Sequence, residues 1–538
     1  MSSSTLIEIF GHIVLSFTRS VTDHYNLEEP EFTSTCFGYE PLESTGREWY
    51  YHPVDEVIYQ EYSDREATTS DYLASRGVNL RMTNACLPEE NEETQEDQQD
   101  EDTAMAWKRL RPSALHTVCK SMYIGALISL LTATVVGAIF MLVSYVSFKT
   151  VHICQFQPMN STSTQIQWIR TMSAVTSCVF LYIWYFVLML FLFRPFQLMG
   201  VKRKLILVCF LNYCLDSLYR VALQALGISH SHISRLQKIP LHALFLINAC
   251  LQVYLITNHV CTRSRRQKLT FFFSLIILGC FFFLISIIVG SVIYPAYDEQ
   301  TNQGKLLIAL FSPLIGVVVK VLSRICVQRS YSITHPGYSY VLLSPLYFGS
   351  AVAFRVLQAD LDSLQSIATL GIIHGAAEVI ERSTMVVIDH ICHRLWKRTS
   401  APWGSFRTPR RERLMADIAI MSMLFESTAI VSVNGFLSLY QFIYIQINSI
   451  SSLIWKFAIH TSVPLVIEWF FTSVSLAIET RYQNMAVMAV WQRRWKRHVL
   501  VAVVNALPLA FWTTTNILEI LHGRFGESSD HLCKVPFT

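Results

Sequence analysis

What the chain lacks narrows its chemistry first. It contains no G-x-x-x-x-G-K-[ST], no G-x-G-x-x-G, no H-E-x-x-H and no G-x-S-x-G. The phosphate cradle, dinucleotide turn, zinc-protease helix and nucleophile elbow that those spacings encode are therefore missing, and transport driven by a nucleotide site in the same chain is not expected. Charge is scarce too, at 15% Asp, Glu, Lys and Arg over 538 residues. The 13 cysteines form no C-x-x-C, and Cys178, Cys209, Cys214, Cys250 and Cys280 lie inside apolar runs as small hydrophobes, so no disulfide framework or zinc finger is expected. A cleavable leader is also not expected, because the apolar stretch Leu6 to Phe17 is broken by Glu8, Gly11 and His12 and has no basic flank. That stretch reads as a short amphipathic helix docking on the protein's own body.

What is present is apolar. A hydrophobic fraction of 52% and a mean hydropathy of +0.36 exceed what a soluble domain can bury, so the excess needs lipid. The fold class expected is an all-α polytopic membrane protein. A helix crosses the hydrocarbon with about 20 apolar residues. Segments meeting this lie at Met122 to Phe148, Thr171 to Phe193, Leu205 to Ile228, Ile239 to Val260 and Leu269 to Tyr294. More polar ones follow at Leu306 to Leu322, Tyr340 to Leu357, Leu364 to Ile388, Leu414 to Val433, Ser462 to Ile478 and Val499 to Leu521, about 11 in all. The expected organisation is a cytosolic region over 1–110, a first bundle of six spans over 120–330, a second bundle of about five over 338–522, and a tail over 523–538. The apolar but Ser-, Gln- and Asn-studded segment 436–457 reads as re-entrant, which keeps the basic run Arg493, Arg494, Lys496 and Arg497 inside.

Orientation follows the basic loops. Lys108, Arg109, Arg111 and Lys120, then Arg194 with Lys202, Arg203 and Lys204, then Arg263, Arg265, Arg266 and Lys268, and last Arg394 to Arg413 all fall on one side, assigned as cytosolic. The N-terminal region carries nine acids over residues 89–102, which reads as a solvated spacer able to meet a cytosolic protein partner. The opposite side receives Asn160, in the chain's one N-x-[ST] sequon, as a glycosylation candidate. It also receives Cys154 and Cys533, a candidate disulfide. The basic balance reflects topology, so lipid rather than nucleic acid is the expected partner.

Ionisable groups inside spans cost roughly 2.5 to 3.5 kcal/mol each on insertion scales, which makes them the best functional pointers. Asp216 and Arg220 stand at i,i+4 and read as an internal ion pair or a gating element. His374, Glu378, Glu381 and Arg382 recur at helical spacing in an apolar run, a stripe that must face a bundle interior or a hydrated cavity. Glu378 with His374 suits a proton or cation relay. A metal site would draw on His374 with Glu378 or Glu381, and on His390 and His393. No second cluster of matching ligands stands elsewhere, so no metal and no cofactor is expected.

Asp417 and Glu426 are nine residues apart and point from opposite helix faces, whereas Glu378, Glu426 and Glu468 are conjectured to converge on one cavity. Asp417 is expected to pair with Arg411 or Arg413. Two Ser-Pro-Leu triplets, at Ser312 and Ser344, are each followed by a cation, Lys320 and Arg355. The leading expectation is a transporter or channel for a small solute or ion, with Glu378, Glu426 and Glu468 in the pathway. A receptor or scaffold with purely structural charges is second. A membrane-embedded enzyme, for which only Asp389, His390 and His393 come near a catalytic grouping, is third.

Overall fold

The computed structural model describes residues 114–157, 162–193, 198, 200–228, 235–260, 265–329, 336–359, 361, 363–397, 409–445, 450–481 and 487–525. The acidic N-terminal region, Asn160 and Cys533 lie outside these. Among the described residues every regular element is helical. The chain runs through α1 (Ala114–Ala126), a π-helical turn (Leu127–Thr132) and α2 (Ala133–Thr150), then α3 (Thr164–Leu192), α4 (Lys202–Ala225) and α5 (Arg235–Val260). Next come α6 (Arg265–Ile288), a second π-helical turn (Val289–Ile293), α7 (Tyr294–Asp298), α8 (Asn302–Arg329), α9 (Pro336–Ser339) and α10 (Ser344–Ala359). The last are α11 (Leu364–Lys397), α12 (Pro409–Tyr440), α13 (Ile450–Arg481) and α14 (Val487–Phe525).

Each segment expected from the sequence overlies a helix. Among the described residues, eight helical bodies are long and apolar enough to cross a membrane: α1 with α2, then α3, α4, α5, α8, α12, α13 and α14. The others stand apart for different reasons. Helix α6 is apolar in sequence from Leu269 through Ile288, with its described side chains unbroken over Lys268–Gly279, and α10 has only 16 residues. Helix α11 holds its charges within the apolar run. The segment 436–457 is not a separate re-entrant element. Its first part continues α12 through a π-helical turn at Gln441–Ile445, and its last part opens α13 at Ile450. Within its first part Ser438 donates to the Asn434 carbonyl at 2.8 Å, and the Asn434 amide just before it donates to the His460 carbonyl on α13 at 3.1 Å.

Helix α12 is the axis of the molecule. Every residue from Leu414 to Val433 is buried, because α2, α10, α13 and α14 surround it. Close approach to α2 rests on glycine: a Cβ built on Gly137 would lie 2.6 Å from Val431 Cγ1, and one on Gly435 would meet Met141. Small residues at such contacts are the usual means of bringing membrane helices together. Rings fill the remaining space, as in the parallel stack of Phe348 on Phe425 at 4.7 Å. The two sequence halves interlock, since α1 packs on α13 and α2 on α12 and α14. Helices α4, α5 and α6 lie toward the periphery, where Leu207, Phe210, Leu218, Tyr254 and Phe273 are exposed. Apolar exposure of this kind is what a lipid-facing surface requires.

Both ends are tied. At one, the Tyr444 hydroxyl donates to the His152 carbonyl at 3.0 Å, and Arg170 Nε to the Val151 carbonyl at 3.3 Å. Burial lowers the His152 imidazole to about 4, with Arg170 adding to the effect against the Gln155 hydrogen bond. Cys154 in the same loop is disulfide-bonded. At the other end, Arg497 donates to the Phe191 carbonyl at 2.7 Å and lies over the Tyr338 ring at 3.7 Å. Beside it His498 Nε2 contacts Asp417 Oδ1 at 3.0 Å and stacks on Tyr340.

Candidate functional site

Glu426 lies mid-way along α12, on the face opposite Asp417, and a buried charge cluster forms around it. From α10 comes Arg355, with NH2 3.5 Å from Glu426 Oε2 and 2.6 Å from Glu468 Oε2 on α13. Arg355 is itself held by the Gln358 amide oxygen at 2.8 Å, and the Gln358 amide donates to the Ile367 carbonyl at 2.8 Å. From α8 comes Lys320, with Nζ 4.0 Å from Glu426 Oε1 and 3.6 Å from Glu381 Oε2. One turn further along α8, Arg324 NH1 lies 3.7 Å from Glu381 Oε1 and donates to the Tyr347 hydroxyl at 3.2 Å. Helix α11 contributes His374, whose Nε2 is 3.3 Å from Glu426 Oε2 and whose ring stacks on Phe354 at 4.0 Å. Arg382 is directed away from its helical neighbour Glu378 and makes two 2.9 Å hydrogen bonds to Glu479 on α13.

Five carboxylates, Glu378, Glu381, Glu426, Glu468 and Glu479, are thus set among four cations, Lys320, Arg324, Arg355 and Arg382. The carboxylate set apart from these ion pairs is Glu378, which is 7% exposed and has as its partner the Ser422 hydroxyl, 3.1 Å from Oε1. Among the described residues no cation lies within ion-pair distance of it. His374 Nδ1 is buried without a hydrogen-bond partner as well. Burying a carboxylate without a counter-charge is costly.

Glu378 does not face packed side chains. Together with Lys320, His374, Glu381 and Glu426 it forms one wall of a cavity of about 130 Å³. The remaining walls are apolar and aromatic, with Phe282, Ile285, Ile315, Leu346, Leu509 and Trp512 among them. Val289 and Ile293 of the second π-helical turn also line it, and π turns inside helices recur at functional positions. The lining residues of α8, Ser312 to Lys320, and of α10, Leu346 to Leu357, straddle the middles of those helices, so the cavity lies near the middle depth of the bundle.

The structure therefore gathers His374, Glu378, Glu381 and Glu426 on one cavity and attaches Glu468 to it through Arg355. Arg382 stands beside the group but is committed to Glu479. Asp216 and Arg220 lie elsewhere, as a 2.6 Å ion pair within α4 that also accepts from the Tyr182 hydroxyl at 3.2 Å. The side chains of Arg411, Arg413, Asp389, His390 and His393 lie outside the description. Sequence reading missed the parts played by Lys320, Arg324, Arg355 and Ser422. The one signal pointing to two of them was the cation following each Ser-Pro-Leu triplet, since Lys320 and Arg355 flank Glu426 from opposite helices. His374, Glu378 and Glu426 each offer a ligand atom, all within 4.8 Å of one another. Arg355 and Lys320 already engage Glu426, however, so this set resembles a site for a single positive charge more than a cage for a divalent ion. No family model, curated protein or solved structure matches the chain.

Proposed function

We propose that the protein is a secondary transporter of about 11 membrane spans, carrying a small solute through the bundle around α12 with Glu378 as the cation-accepting carboxylate. One observation carries the reading: a carboxylate without a counter-ion among the described residues, buried in a helix bundle, on the wall of a cavity. A purely structural charge network has no use for the vacancy, because an intramembrane charge that only fixes packing is neutralised by its neighbours. Arg382 with Glu479 and Asp216 with Arg220 are examples of the latter kind here. Glu378, His374 and Glu426 lie close enough for a proton or bound cation to pass among them, which is how a transporter couples charge to solute movement. Carrier rather than channel is favoured because two ion pairs, Arg355 with Glu468 and Arg382 with Glu479, bridge the helices beside the cavity. Opening a path past them requires helices to move, as in alternating access.

The test uses purified full-length protein in liposomes, an imposed proton gradient or membrane potential, and a panel of labelled amines, amino acids, carboxylates and sugars. Gradient-driven accumulation of a solute by the wild type, abolished in Glu378→Gln at equal protein incorporation, is the expected result. Absence of accumulation for every class, together with a Glu378→Gln protein that differs only in yield, would instead support a receptor or scaffold.

A further inference from the structure

We infer that the solute is a lipophilic organic monocation: a compact aromatic or branched amine, protonated at neutral pH, whose ammonium group docks on Glu378. The inference rests on the transporter reading for its site and goes beyond it in naming the chemistry recognised. Charge comes first. A monocation supplies the counter-charge that Glu378 lacks among the described residues, whereas an anion adds a like charge beside it and a neutral solute leaves it uncompensated.

The walls give the rest of the molecule. Three hydroxyls that line the cavity or lie beside its lining are spent on helix carbonyls: Tyr294 on Ala353 at 3.1 Å, Ser312 on Ala309 at 3.3 Å and Ser350 on Tyr347 at 2.9 Å. Away from Glu378 and its charged neighbours the cavity therefore faces the solute with hydrocarbon and rings, and the polar part of the solute is confined to one end. A volume of about 130 Å³ is close to that of an apolar cavity that takes up a benzene-sized guest. Phe354, stacked on His374 at 4.0 Å and with the Arg355 guanidinium 5.4 Å from its ring, adds aromatic wall beside the acid. An inorganic cation would have no use for so extended an apolar wall.

Equilibrium binding of labelled phenethylamine to the purified full-length chain in lipid nanodiscs tests this without requiring transport. Saturable binding is expected. Phenethyl alcohol, phenylacetate, ammonium chloride and zinc chloride should each compete at least ten-fold more weakly than unlabelled amine. Glu378→Gln should weaken binding at least ten-fold. Should that variant fail to fold, Ala353→Phe, which fills the cavity and leaves every charge in place, should abolish binding by itself. Preferential binding of phenylacetate would assign the site to Lys320 and overturn the inference. Equal binding of the alcohol would remove the role of charge, and displacement of the amine by zinc alone would replace it with a metal site. An amine that binds but is not accumulated in liposomes counts against transport, while accumulation of another solute class without amine binding counts only against the inference.

Discussion

At the scale of the residue, the two kinds of buried acid behave differently. Glu378 has no cation within ion-pair distance among the described residues, whereas Glu479 has one. Its carboxylate takes both hydrogen bonds of Arg382 at 2.9 Å, and both side chains are almost fully buried. Removing one partner of such a pair strands the other charge and typically costs about 3 to 5 kcal/mol, while replacing both with apolar groups of similar volume is close to neutral. Arg382→Ala is therefore expected to lower the melting temperature in detergent sharply, and Arg382→Met combined with Glu479→Met to restore most of it. Scanning fluorimetry on the two purified variants checks this, and equal melting of both with the wild type would show the pair to be dispensable. Arithmetic on the sequence separated Asp417 from Glu426, since nine residues at 100° each place them on opposite faces. The structure gives Asp417 to His498 and Glu426 to Lys320, Arg355 and His374. The cations themselves were not legible as members of the site. Lys320 and Arg355 lie on helices whose register against α12 is set by tertiary packing, and no local spacing encodes that.

At the scale of the element, apolar length announced the helices, but polarity misled where it was satisfied within helices. The Ser, Gln and Asn residues of 436–457 resemble those of a segment that avoids lipid. In the folded chain Ser438 returns its hydrogen bond to its own helix and Asn434 bonds across to α13, so both helices stay regular. Helix α12 was legible as a span but not as the axis. Its complete burial comes from neighbours on every side, and an apolar run reads the same whether protein or lipid surrounds it. The contact that brings α2 against this axis depends on a missing side chain. A methyl at Gly137 would lie 2.6 Å from Val431 Cγ1 and 2.7 Å from its Cβ, and both sit on buried helix where neither can swing aside. Gly137→Ala is expected to destabilise by about 1 to 3 kcal/mol through overpacking, even though alanine is the better helix former. Gly279→Ala has nothing within 4 Å of its added carbon and serves as the control that should be neutral or mildly stabilising. Equal melting of the two variants would show that α2 and α12 are not in this register.

At the scale of the whole molecule, the tied ends and the basic loops bear on the same question. Arg497 bonds the carbonyl of Phe191, so the basic run that opens α14 lies at the end where α3 finishes and where Lys202, Arg203 and Lys204 begin α4. Two clusters of positive charge gathered at one end predict that this end is cytosolic. At the opposite end, marked by His152 and Tyr444, Arg170 is buried and bonded to the Val151 carbonyl. The cavity lies near the middle depth between these two ends, and the orientation itself is what a labelling experiment reads. In a cysteine-less background, Gln157→Cys should react with a membrane-impermeant maleimide in intact cells, and Lys202→Cys only after permeabilisation. If that end is lumenal or extracellular, Asn160→Gln should remove a glycan-dependent mobility shift in protein made in eukaryotic cells. The reverse labelling pattern would invert the chain in the membrane.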